Sequence, residues 1–141
     1  MINTLVPVDG SPCSLRALAF ALHALRRESG ARVHVLNVQA PLIHVWADKL
    51  VTPDMIDAEL RSDGEKVLVQ AKIMALSASI GCVPHVGIGA VAEEINAYAT
   101  KHGCDAIVMG TRGLGVVAGL VLGSVAQRVV HLATVPVTLV K

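Results

Sequence analysis

Short apolar runs alternate along the chain with longer stretches in which apolar residues return every three or four positions, a succession of strands and helices. Thr4–Val8 (TLVPV) reads as a strand that stops at the turn DGSP. Ser11 then offers an N-cap and Pro12 suits the first helical position. Leu15, Leu18, Leu22 and Leu25 recur at helical spacing, and Gly30 is expected to close that helix. Arg32–Val38 (RVHVLNV) is a second strand, and QAPLIHVWADKLVTPD after it shows no clear period. Ile56, Leu60, Gly64, Val67, Ala71, Met74 and Ala78 trace a long helical stripe that ends before Gly81. Val83–Gly89 is a third strand, and Val91, Ile95 and Tyr98 mark a third helix. Asp105–Gly110 is a fourth strand, Ser124 to about Ala133 a fourth helix, and Val135–Val140 the last strand.

The order is therefore βαβαβαβαβ, with strands that read as apolar on both faces. That pattern predicts an α/β fold: a parallel sheet covered by helices on each side and joined by right-handed crossovers. No internal repeat, low-complexity tract or linker interrupts it, so residues 1–141 are expected to form one domain.

Composition narrows the function classes. Residues are 53% hydrophobic but only 2% aromatic, so the core is built from Ala, Val, Leu and Ile, and base-stacking platforms are nearly excluded. A net charge of +1 gives no general attraction to nucleic acid or to an anionic membrane. Cys13, Cys82 and Cys104 are too few and too widely spaced for a disulfide framework. The start MINTLVPVDGS lacks the basic and apolar regions of a signal peptide. The longest run free of charged residues and histidine, Gly113 to Gln127, is shorter than the ~20 residues of a membrane span. A soluble cytoplasmic protein is expected.

The densest punctuation lies late in the chain, in MGTRGLGVVAGLVLGSVAQRVV. Gly110, Gly113, Gly115, Gly119 and Gly123 fall within fourteen residues, and Ser124 follows. Glycine clusters mark unusual backbone angles or a close approach to the backbone. Open α/β sheets bind ligands beyond the carboxyl ends of their strands, where strand order reverses. In the order 3-2-1-4-5, strands one and four adjoin at that reversal, and the residues just past them are Asp9-Gly10-Ser11 and Gly110-Thr111-Arg112-Gly113. Phosphate suits the chemistry: Gly123-Ser124 opens a helix whose first amides lack acceptors, and its dipole favours an anion. After Asp105 there is no acidic side chain, while Arg112 and Arg128 flank the segment.

Two familiar signatures match incompletely. Gly113, Gly115 and Ala118 satisfy G-x-G-x-x-G/A, but no acidic residue follows about twenty positions on and no second Rossmann half remains. Gly119–Ser124 resembles part of a P-loop without its lysine. The spacing that matches throughout is Gly110-x-x-Gly113, nine residues, then Gly123-Ser124. It resembles the nucleotide-binding signature of the universal stress protein family, and the likeness extends through LVPVDGS, VHVLNV, CDAIVMGTRG and GSVAQRVVHLATVPVTLVK.

The resemblance implies a doubly wound five-stranded parallel sheet of order 3-2-1-4-5 and an adenine nucleotide: ATP, ADP or AMP, with Mg2+. Asp9 would meet the ribose or the magnesium ion. Val38 would contact adenine, with Pro7 and Val8 walling its pocket. Met109, Gly110, Arg112 and Gly113 would line ribose and phosphates, and Gly123, Ser124 and Val125 would hold the phosphate tail. Each residue also has a plainer role. Asp9 can shape its turn, Val38 can serve the core, Ser124 can cap its helix, and Arg112 can be a solvated side chain.

The missing P-loop lysine, and the lack of a second carboxylate or a base nearby, favour an ATP-binding regulatory or stress-response protein over an efficient enzyme. A slow ATPase or nucleotidyl transferase using Asp9 and magnesium is the alternative, and an interaction module without nucleotide a third. Family resemblance and the apolar segment Val135–Val140 imply a homodimer through the last strand. The six histidines are scattered. Cys82 and His85 point to opposite faces of a strand, so zinc is not expected. No G-x-S-x-G elbow is present. Cys13, near a helix start, has either a lowered pKa or an ordinary packing role.

Overall fold

A computed structural model describes residues 2–41, 52–115 and 121–141. Five strands, β1 (Asn3–Pro7), β2 (Arg32–Gln39), β3 (Gly81–Ile88), β4 (Ala106–Gly110) and β5 (Val137–Val140), form one sheet of order β3-β2-β1-β4-β5. Every pairing is parallel. Four helices connect them: α1 (Pro12–Leu25), α2 (Pro53–Ser77), α3 (Val91–Lys101) and α4 (Ser124–Leu132). The expected α/β architecture and strand order are both present. Residues 42–51, within the aperiodic stretch noted above, and residues 116–120, with Ala118 and Gly119, lie outside the described residues.

Side chains alternate across the sheet and build two cores. On one face Val6, Val33, Val35 and Val108 pack against Ala17, Leu18 and Leu25 of α1 and Leu68, Ala71 and Ala75 of α2. On the other, Leu5, Leu36, Ile107 and Met109 meet Ala92, Ile95 and Tyr98 of α3 and Ala126 and Val129 of α4. The β1 neighbours Leu5 and Val6 thus serve opposite layers, as period-two geometry requires. Gly64 brings α2 close to the sheet: a Cβ there would stand 2.5 Å from Val86 Cγ1.

The differences from expectation are local. α1 ends at Leu25, five residues before Gly30, because the Glu28 amide donates to the Leu25 carbonyl and the Ala31 amide to that of Glu28. These turn bonds replace the helical ladder, and Gly30, at φ 77°, closes the turn instead. β3 starts two residues early, at Gly81, paired with Arg32. The strands are not all apolar on both faces, because β3 and β5 are sheet edges whose residues are mostly part-exposed. Pro84 is compatible with such an edge, where its missing N–H costs no ladder bond. Among the described residues, no helix is long and apolar enough to cross a membrane.

Candidate functional site

β1 and β4 end side by side, and each delivers a turn to the same end of the sheet. After β1, Gly10 adopts φ 84°, and this tight turn lets the Ser11 amide donate to Asp9 Oδ1 at 2.9 Å. Ser11 in turn caps α1, its Oγ accepting from the Ser14 amide at 3.1 Å. After β4, the Thr111 amide donates to the Val140 carbonyl, and the Gly123 amide donates to the Thr111 carbonyl at 2.7 Å. The two turns are tied directly: the Leu114 amide donates to Asp9 Oδ2 at 3.0 Å. Burial works to raise the pKa of Asp9, but bonds from the Ser11 hydroxyl and amide, the Leu114 amide and Ser14 outweigh it and lower the pKa overall. At neutral pH the carboxylate is ionised.

The glycines answer to these neighbours. A Cβ on Gly110 would lie 2.8 Å from Cys13 Sγ, and one on Gly113 would collide with Asp9 Oδ2. One on Gly123 would lie 3.3 Å from the Thr111 carbonyl oxygen, whereas one on Gly115 would meet none of the described residues within 4 Å. Two of the motif glycines are therefore required by side chains from the first turn of α1 and from the end of β1.

Ser124 does not cap α4. The N-cap is Gly123, extended at φ −70° and ψ 158°, and among the described residues no side chain bonds the first amides of the helix. The 2.7 Å bond from the Gly123 amide to the Thr111 carbonyl holds Gly123 in the cap position, so that Ser124 is the first residue of the helix. Among the described residues, donors at this helix end, including the Ser124 amide, have no side-chain acceptor, which suits an anion. Arg128 also departs from expectation. It turns from the glycine segment toward α3 and pairs with Glu93 at 3.0 Å, while Arg112 stays exposed beside the cleft.

A cleft of about 310 Å³ opens at this place. All eleven residues singled out in the sequence line it: Pro7, Val8, Asp9, Val38, Met109, Gly110, Arg112, Gly113, Gly123, Ser124 and Val125. Its volume is at the small end of the ~300–1,000 Å³ range of ligand pockets. Leu36, Val91, Ile95 and Ala126 complete an apolar wall, and Ser14, Asn37, Thr111, Leu114 and Gly115 add polar or backbone groups. Sequence reading gave none of these nine a ligand contact, although it placed Thr111 and Gly115 in the segment that borders the cleft. Asn37 did carry a signal, as a polar residue inside an apolar strand, and it is buried, donating from Nδ2 to the Val8 carbonyl at 2.8 Å.

The histidines are less scattered than their spacing suggests. His34, His85 and His102 gather around Tyr98, with ring centroids 5.8, 5.1 and 4.0 Å from its ring. His34 is buried and its Nδ1 is 3.1 Å from the Tyr98 hydroxyl, a satisfied core position. His23 and His131 stand apart on α1 and α4, and His44 lies outside the described residues. Among the described residues, no group of three His, Cys, Asp or Glu side chains is placed to hold a metal ion. Cys13 is buried, with Sγ 3.3 Å from the Val140 carbonyl oxygen. Burial works to raise its pKa, but bonds from Arg112 and Thr111 and the charge of Arg16 lower it overall.

Comparison with known proteins follows the same lines. Residues 1–141 match the family model described as the universal stress protein family. A universal stress protein of Thermus aquaticus is 38% identical over 141 residues, covering 97% of this chain and 96% of that protein. One from Bacillus subtilis is 32% identical over 144 residues, covering 97% of each. Among solved structures, a universal stress protein in complex with cAMP superposes with TM-score 0.72 at 25% identity, over 99% of this chain and 96% of that one.

Proposed function

Because the chain belongs to the universal stress protein family, we propose that the cleft above β1 and β4 binds an adenine nucleotide, in a stress-response or regulatory role. The observation that carries this reading is the division of the cleft. An apolar wall of Val8, Leu36, Val38, Val91 and Ile95 offers a dry surface to a base. The lining also includes the backbone from Gly113 to Gly115 and the start of α4, which offers amides to phosphates. Asp9 lines the same cleft and can accept bonds from ribose hydroxyls or ligate a magnesium ion brought by the phosphates. The relative crystallised with cAMP supports an adenylate as occupant, and ATP is the proposed ligand.

Among the described residues that line the cleft, Asp9 is the only carboxylate. A positioned base and a second anionic metal ligand are therefore lacking there, which favours binding over rapid turnover. Edge strand β5 is the proposed seam of a homodimer, since the described sheet leaves its outer side unpaired.

Isothermal titration with ATP and magnesium tests the binding reading. Saturable heat at one nucleotide per chain is expected, and no heat at millimolar nucleotide overturns it.

A further inference from the structure

The Asp9 carboxylate occupies the position where the glycine segment would offer its amide. Oδ2 accepts the Leu114 N–H at 3.0 Å and fills the space where a Gly113 Cβ would stand. Oδ1 is held by the Ser11 amide at 2.9 Å, so the group is fixed at both oxygens. Its pKa is lowered and it carries a full negative charge at neutral pH. A phosphate oxygen entering this segment therefore meets an amide already engaged and a like charge beside it. The Leu114 N–H is a single donor and cannot serve two anions with good geometry.

We infer that Asp9 is a built-in anion of the glycine segment, and that a phosphate oxygen binds there by replacing the carboxylate at the Leu114 amide. This rests on the nucleotide reading above and deepens it. One residue then has opposite effects on the two halves of the ligand. Toward the nucleoside it is an acceptor for hydroxyls and strengthens binding. Toward the phosphate chain it is a competitor and weakens binding, so that the nucleoside half is required for tight association. The cleft selects a nucleotide over a bare polyphosphate by this means. The released carboxylate is then free to accept from the ribose, so the exchange couples recognition of sugar and phosphate.

Asp9→Asn separates the two effects, because the amide oxygen still accepts from Leu114 while the charge is lost. The probes are adenosine and inorganic tripolyphosphate, titrated separately into wild type and variant, with AMP as the reference ligand and thermal melting as the check on folding. Adenosine is expected to bind about tenfold more weakly to the variant, the scale of one hydrogen bond to a charged group. Tripolyphosphate is expected to bind about tenfold more tightly, between the aqueous and surface values for like charges a few ångström apart. Tripolyphosphate binding that is unchanged or weaker in Asp9→Asn, with AMP binding intact in wild type, overturns the exchange alone. Wild type that binds neither AMP nor tripolyphosphate overturns the nucleotide reading and this inference with it. A second readout needs no variant: on adding tripolyphosphate to wild type, both the Leu114 amide and the Asp9 carboxyl carbon should shift in NMR spectra. An Asp9 carboxyl signal that stays still while Leu114 moves contradicts the exchange.

Discussion

Gly113 admits no side chain because the Asp9 carboxylate stands where its Cβ would be. Gly113→Val must push that carboxylate away and break its bond to the Leu114 amide. Under the proposed function the valine side chain also stands between the phosphates and the amides of this segment, so ATP affinity should fall at least about tenfold, the loss of one charge-assisted bond from amide to phosphate; calorimetric titration of variant against wild type measures it. Affinity equal to wild type would mean that the phosphates lie elsewhere. That Asp9 and the glycines border one cleft was legible in the sequence, since they follow the two strands at the reversal of strand order. The reasons behind the individual glycines were not. Gly110 answers to Cys13 and Gly113 to Asp9, partners about a hundred positions away, and no local spacing encodes such a contact. The helix start at Ser124 was legible, but its cap was misread for a related reason: Ser124 has the chemistry of a cap, whereas a bond between distant backbone groups holds Gly123 there.

Between elements, two contacts have measurable consequences. At Gly64 on α2, an added Cβ would stand 2.5 Å from Val86 Cγ1 and 3.1 Å from Asn37 Oδ1. Replacing glycine by alanine in a helix contributes up to about 1 kcal/mol of stability. Overpacking against a sheet costs about 1–3 kcal/mol, so the overpacking wins. Gly64→Ala should lower stability by about 1–2 kcal/mol in urea unfolding, and a stabilised variant would show that α2 is not held so tightly. The second contact joins α3 to β2 and β3 through Tyr98 and the histidines. Burial, then the charges of His102 and Arg32, lower the pKa of His34. Burial lowers that of His85, helped by His102, Arg61 and Lys101 and opposed by Glu94. A histidine with a lowered folded pKa binds fewer protons in the native state than when unfolded. Stability is therefore full above the unfolded value of 6.5 and declines as pH falls from there through the lowered folded values. The Asp9 and Asp105 pKa values lie below 3.8, so these carboxylates stay ionised over most of this window. Urea midpoints at pH 7.5 and 5.5 should show the decline, and His34→Asn should reduce it; a midpoint independent of pH would contradict the linkage. The strands and helices themselves were readable because their apolar periods are local. The meeting of His34, His85 and His102 was not, because it depends on β2 pairing with β3 and on α3 crossing above them.

At the scale of the whole molecule, strand order decides what remains exposed. β4 separates β5 from the centre of the sheet, and β5 borders solvent with Leu139 37% exposed. The proposed dimer joins two such edges, and sedimentation velocity at micromolar concentration should give twice the mass of one chain. A monomer at that concentration would leave the edge without its proposed partner. The same order sets β1 and β4 side by side, and this adjacency gathers eleven residues from distant parts of the chain around one cleft. The most direct measurement of that cleft's role is a crystal structure grown with AMP or ATP. The account predicts the base against Val38 and the phosphates at the amides of Gly113 to Gly115 and Ser124, with Asp9 turned from Leu114 toward the ribose. A nucleotide seated elsewhere on the molecule, or a map with only solvent between Asp9 and Ser124, would contradict it.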